Sequence, residues 1–175
     1  HGQSTCVDDV LDELKKYKDY LSFSGGGLTI SGGEPLVQAP FVMNIIRGAN
    51  AMGIHTALDT NGFLGDRLSD ADLDEIDLFL LDIKSWDPDT HVRVTAKPVE
   101  PVLKFARRLA DRKRPVWLRF VLVPGFTDAP DNIDGVARFA ASLGNIERVD
   151  VLPFHQLGKF KWEQMGMKYE LGDTP

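Results

Sequence analysis

With a single cysteine, Cys6, in 175 residues, the chain can build neither an internal disulfide framework nor a zinc centre of paired thiolates. It has no excess of basic residues: 20 Lys and Arg face 26 Asp and Glu, for a net charge of −6. That excludes the electropositive footprint of a nucleic-acid binder and the polybasic patch of a membrane-surface protein. No apolar run approaches the roughly 20 residues a membrane-spanning helix needs, and no stretch reads as a signal peptide. No linker or low-complexity segment divides the chain, so residues 1–175 read as one domain. These absences favour a cytoplasmic protein with neither nucleic acid nor membrane as partner. The chain opens on His1 rather than Met and stops at Pro175 just after a β-like segment, from which a fragment cut at both ends is expected.

What is present is alternation. Val7, Val10, Leu11, Leu14 and Tyr17 recur at helical spacing, which predicts one helix over Val7 to Tyr20 with Thr5 as N-cap. Short strands are predicted at Leu28–Ser31, Ile54–Asp59, Asp77–Ile83, Val116–Val123 and Val149–Pro153. Between them fall helical patterns at Ala39–Met52, Ser69–Glu75, Pro88–Val94, Pro101–Arg112 and Asn132–Leu143, the last with Ile133, Val136, Phe139 and Ala140 inward. Phe154 to Leu171 reads as a loop with one short helix. Strand and helix in strict turn imply right-handed βαβ units, an α/β class and a parallel sheet.

In parallel α/β proteins ligands bind at the carboxyl ends of strands, where the loops converge. The predicted strands end in polar clusters: Ser31-Gly32-Gly33-Glu34, Asp59-Thr60-Asn61-Gly62, Asp82-Ile83-Lys84, Arg119 before Pro124-Gly125, and His155. Gly32, Gly33 and Glu34 offer bare backbone and one carboxylate, suited to an ammonium group or to nothing more than a tight turn. Asp59 and Asp82 end successive strands, with the Thr60 hydroxyl nearby; they suit a hard cation, or each caps a following helix or turn. Lys84, on the same strand face as Asp82, could pair with a substrate carboxylate, form a Schiff base, or stay a solvated loop lysine. Arg119 lies inside an apolar strand and calls for an anionic partner unless it faces an edge. His155 is either structural or part of the same site. His1, His55 and His91 show no ligand spacing.

Taken in order, Thr29–Pro35, Asp59–Phe63, Leu80–Lys84, Val116–Asp128 and Leu152–Leu171 resemble the radical S-adenosylmethionine (SAM) superfamily. Within it the likeness is to the glycyl-radical-enzyme activases, and the stretch Leu152-Pro153-Phe154-His155-Gln156-Leu157-Gly158-Lys159-Phe160-Lys161-Trp162 is its most specific part. The resemblance implies a partial (β/α) barrel that binds SAM on a 4Fe–4S cluster. Cleavage of SAM there gives methionine and a 5′-deoxyadenosyl radical, which takes a hydrogen from a glycine Cα of a large partner. The partner so implied is a glycyl radical enzyme, pyruvate formate-lyase, and the implied source of the electron is a flavodoxin- or ferredoxin-type donor. Carried over by motif, Gly32, Gly33 and Glu34 would hold the methionyl amino group and Lys84 the methionyl carboxylate. Arg119 and His155 would contact the SAM carboxylate or nucleoside. Asp59, Thr60 and Asp82, with the backbone near Leu80, would form a monovalent-cation site. The family's cluster loop, Cys-x3-Cys-x2-Cys, has no counterpart here, since Cys6 matches none of its positions; the iron–sulfur ligands are therefore absent from this chain. Two other functions fit parts of the pattern: a non-catalytic SAM- or partner-binding domain that has lost its cluster, and a Schiff-base lyase using Lys84.

Overall fold

The computed structural model of the protein describes residues 3–166 and 171–172. Five strands, β1 (Gly27–Ile30), β2 (His55–Thr60), β3 (Leu78–Asp82), β4 (Val116–Leu122) and β5 (Ile146–Pro153), form one sheet in the order 1-2-3-4-5. Every neighbouring pair is parallel. The helices are α1 (Val7–Lys15), α2 (Lys18–Ser24), α3 (Ala39–Ala51), α4 (Asp70–Asp74), α5 (Pro88–Thr95), α6 (Glu100–Asp111), α7 (Pro130–Leu143) and α8 (Lys159–Gln164). Crossovers between parallel strands are right-handed as a rule, and α3, α4, α6 and α7 contribute to one core with the strands. The α/β, partial-barrel expectation is borne out.

The two sheet faces differ accordingly. Leu58, Phe79, Leu81, Leu118 and Phe120 point toward the helices and are buried in one core with Ile46 of α3, Leu109 of α6 and Phe139 of α7. The alternate residues, Asp59, Leu80, Asp82, Trp117 and Arg119, stay half-exposed on the other face. Period-two alternation thus puts apolar side chains under the helices and delivers charge to the open face.

Local readings shift in three places. The single helix expected from Val7 to Tyr20 is two, because the Tyr17 amide closes the first on the Leu14 carbonyl at 3.0 Å. The break lets Leu21 of α2 reach the small cluster of Leu14, Ala49 and Ile54, and leaves Tyr17 outward, 53% exposed. The N-cap of α1 is Cys6, not Thr5. In α7, Ile133 is outward at 39% exposed and Asn132 is inward at 4%, on the face it shares with Val136 and Phe139 at i+4 and i+7. The loop expected from Phe154 to Leu171 does contain a short helix, α8; its residues 167–170, like His1, lie outside the described residues.

Ser69 caps α4 as expected, accepting from the Asp72 amide at 3.2 Å while Asp72 Oδ2 accepts from the Ser69 amide at 2.8 Å. Arg47 of α3 donates to Asp72 Oδ1 at 2.6 Å. Burial pushes the Asp72 carboxyl up, but the Ser69 bonds and Arg47 outweigh it and hold the group below its usual 3.8. A depressed folded value means that Asp72 stabilises the fold above the ordinary carboxylate range and stops doing so as pH falls through the folded value. Urea midpoints of wild type and Asp72→Asn should therefore differ by a constant amount near neutrality and converge in acid; a gap that widens in acid contradicts the capping assignment. Replacing Phe79, fully buried at the sheet centre, with Ala should cost about 3–5 kcal/mol in the same assay.

Candidate functional site

The site is assembled where β1 to β4 end. After β1 the chain turns at Gly32, whose φ of +146° is a conformation that side chains disfavour. Nothing lies within 4 Å of where a Cβ of Gly32 or Gly33 would stand, so the backbone here is open to a ligand. Glu34 follows and caps the 3-10 turn Pro35–Gln38. Its Oε1 accepts from the Leu36 amide at 3.0 Å and the Thr60 hydroxyl at 2.8 Å, and its Oε2 accepts from the Asn61 amide at 3.0 Å. One carboxylate therefore stitches the β1 loop to the end of β2. A carboxylate has about four acceptor positions, so Glu34 keeps one for a further donor.

Beside this stitch runs a chain of alternating charge. Ser31 Oγ donates to Asp59 Oδ2 at 3.2 Å. The Arg119 guanidinium reaches across β3, donating through a terminal nitrogen to Asp59 Oδ1 and through Nε to Asp82 Oδ1, the latter at 2.9 Å. Lys84 Nζ completes the chain on Asp82 Oδ2 at 2.8 Å. The register explains the reach: Asp82 and Arg119 are direct neighbours across β3 and β4, and Asp59 lies beside Leu80 one strand further on. The side chains of Asp82, Asp59, Arg119 and Lys84 are 16%, 19%, 22% and 30% exposed, shielded enough for charge pairing to count and open enough for a ligand to reach.

The expected site residues thus fall into three groups. Asp59, Asp82, Lys84 and Arg119 are brought together as one network. Gly32, Gly33 and Glu34 flank it. Thr60 is on the opposite face of β2 from Asp59, with its hydroxyl held by Glu34 and accepting from the Gly62 amide at 3.0 Å. His155 stands apart beyond β5, exposed, beside a cavity of about 330 Å³ that it lines with Val121 and Phe154; its Nδ1 accepts from the Leu157 amide at 3.4 Å. A second cavity of about 400 Å³ opens next to Lys84, with Glu34, Asn61, Phe63, His91 and Lys97 in its walls.

The gap between Asp59 and Asp82, where sequence suggested a cation, is spanned by the Arg119 guanidinium. Among the described residues no group of three or more His, Cys, Asp or Glu is arranged to hold a metal ion. Cys6 is exposed at the start of α1. The sequence places Ser31 in the polar cluster after β1 but assigns it no role, and its bond to Asp59 supplies one. Sequence reasoning passed over Asn132, although it leads Val136 and Phe139 at i+4 and i+7.

Comparison with known proteins places this geometry. A family model described as the radical SAM superfamily matches residues 2–139. Pyruvate formate-lyase-activating enzymes of Staphylococcus aureus, strains USA300 and NCTC 8325 among them, are 46% identical over 179 residues, covering 99% of this chain and 71% of theirs. A crystal structure of a domain of pyruvate-formate lyase-activating enzyme from Bacteroides vulgatus aligns with a TM-score of 0.66 at 35% identity, over 74% of this chain and 81% of that one. Streptococcus suis SuiB bound to S-adenosylmethionine aligns with a TM-score of 0.72 over 99% of this chain and 37% of its own, at 17% identity, a likeness of fold alone.

Arg119→Met leaves Asp59 and Asp82 facing each other with no cation between them. It should lower unfolding stability by about 2 kcal/mol, less than a fully buried pair would lose because the network is partly solvated. Adding Asp59→Asn should recover about half of that loss, since one of the two opposed charges is gone. An Arg119→Met variant as stable as wild type in urea titration would remove the bridging role.

Proposed function

The chain belongs to the radical SAM superfamily, and on that premise we propose that it forms the SAM-binding core of an activase for a glycyl radical enzyme, pyruvate formate-lyase. The observation that carries the reading is the Ser31–Asp59–Arg119–Asp82–Lys84 chain beside the open Gly32–Gly33 backbone. A methionyl group is an ammonium and a carboxylate on one carbon. The remaining acceptor position of Glu34 and the backbone carbonyls of the glycine turn suit its ammonium. Lys84 suits its carboxylate, with Asp82 keeping the ammonium of Lys84 in place until the ligand arrives. Arg119, already extended over the open face, is within the same network and suits the ligand's carboxylate or ribose. His155, beyond β5, suits the nucleoside end. These residues fit SAM, which when bound and cleaved by one electron from a donor protein would supply the radical that takes a glycine Cα hydrogen of the partner.

The residues do not fit a 4Fe–4S cluster. Such a cluster takes thiolate ligands, and these 175 residues hold one cysteine, exposed at the start of α1. In this reading the chain binds and orients SAM and presents it on the open sheet face. A monovalent cation between Asp59 and Asp82 would have to exchange with the Arg119 guanidinium, freeing that side chain to turn to the ligand. A flavodoxin- or ferredoxin-type protein is the electron donor in this reading, and the cytoplasm its setting. No described helix is long and apolar enough to cross a membrane.

A Schiff-base lyase is disfavoured by Lys84 itself. Such lysines are activated in apolar pockets or beside another cation, whereas Nζ of Lys84 is held by a carboxylate at 2.8 Å. Calorimetric titration of this chain with SAM tests the proposal. Saturable binding is expected, weakened about tenfold or more by Lys84→Met, the loss of one charge-assisted hydrogen bond. Absence of binding to the wild-type chain, or a Lys84→Met affinity equal to wild type, overturns it.

A further inference from the structure

Lys84 sits at the start of the turn Ser85-Trp86-Asp87, and that turn is held by a residue from outside the strand-end network. Asn132, the third residue of α7, is 4% exposed. Its Oδ1 accepts from the Ser85 hydroxyl at 2.8 Å, the Trp86 amide at 2.7 Å and the Asp87 amide at 3.0 Å. Its Nδ2 donates to the Thr127 carbonyl at 2.8 Å. Thr127 is in turn tied to the end of β4, its hydroxyl donating to the Val121 carbonyl and accepting from the Val123 amide, both at 2.8 Å. One amide side chain therefore locks the loop that follows β3 to the loop that follows β4, the strands that carry Asp82 and Arg119.

The packing around the turn has the same purpose. The Trp86 ring lies against Phe139 of α7 with centroids 5.6 Å apart, and it covers Gly135 so closely that a Cβ there would overlap its indole. Asp87 closes the turn by capping α5, accepting from the Thr90 amide at 2.8 Å. Three donors converging on a single buried oxygen leave Asn132 little freedom. Removing that oxygen would leave the Trp86 and Asp87 amides without a partner, the Ser85 hydroxyl keeping only the Asp87 carbonyl at 3.0 Å, which favours opening of the turn.

We propose that Asn132 is a positioning residue for Lys84: it fixes the Ser85–Asp87 turn so that the Lys84 ammonium stays on Asp82, aligned for an incoming carboxylate. The inference rests on the reading of Lys84 as the carboxylate partner of SAM. Asn132 touches neither Lys84 nor any part of the site where SAM is placed; it acts through the turn.

The test compares Asn132→Leu, which removes the acceptor, with Asn132→Asp, which keeps an acceptor for the three turn donors. Both lose the donor to Thr127, so the difference between them isolates the hold on the turn. Acylation of lysines in the folded chain is read by mass spectrometry, with Lys15 as internal control, and SAM affinity is read by calorimetry. In Asn132→Leu, labelling of Lys84 relative to Lys15 should rise and SAM affinity should fall about tenfold, as expected for loss of preorganisation at one charged contact. In Asn132→Asp both should stay within about threefold of wild type. Lys84 labelling unchanged in a folded Asn132→Leu, or equally raised in both variants, overturns the proposal. Should the Leu variant not fold, amide hydrogen exchange of the wild-type chain decides: slow exchange at Trp86 and Asp87 is expected, and exchange at the rate of an open loop overturns the hold. A wild-type chain that binds no SAM defeats the SAM reading, while the labelling comparison still decides the positioning role.

Discussion

The guanidinium of Arg119 lies between two carboxylates, and the strand-end site depends on its being there. Like charges near a protein surface repel, by about 4 kcal/mol for unit charges roughly 4 Å apart, and the one guanidinium from which Asp59 and Asp82 both accept offsets that repulsion. Arg119 does so from the neighbouring strand, and Lys84 and Ser31 take the outer oxygens. The outcome is a charge-balanced network with shielded but reachable ends, in which a zwitterionic ligand can replace one partner at a time without leaving a bare charge behind.

The fold makes such a network possible by what it does to the two sheet faces. Crossovers between sequential parallel strands are right-handed as a rule, and the apolar residues of β2, β3 and β4 are used up beneath α3, α4, α6 and α7. The opposite face is free to carry charge. The loops then have to be held relative to one another, because each strand end contributes only one or two groups. Glu34 does this between β1 and β2; Asn132 does it between the loops after β3 and β4. Both are polar side chains that satisfy backbone amides, the common way of fixing a loop that has no ladder of its own.

Much of this was legible in the sequence because it follows from periodicity. The βα alternation, the apolar run of Leu78 to Leu81 and the polar cluster closing each strand are local patterns, and they located Asp59, Asp82, Lys84 and Arg119 at one end of a parallel sheet. Which group neutralises which was not legible, since the Arg119–Asp59 contact spans 60 positions and depends on register across three strands. The side of β2 on which Thr60 falls was readable, since neighbours on a strand point to opposite faces, yet its chemical likeness to an oxygen ligand drew it toward Asp59. Asn132 was obscured in a similar way: its spacing to Val136 and Phe139 marked it as inward, but the apolar Ile133 beside it was the stronger local signal. The break after Lys16 has no sequence marker, as neither Gly nor Pro is present there, and it is set by the packing of Leu21 against the α3 end.

The central claim is that the Arg119 network and the glycine turn form one receptor for the methionyl end of SAM. Nuclear magnetic resonance on the labelled chain reports on both at once, through the Arg119 Nε–H signal and the backbone amides of Gly32 and Gly33. The account expects all three to shift together and saturably as SAM is added. Saturation of signals elsewhere while these three stay in place would contradict it.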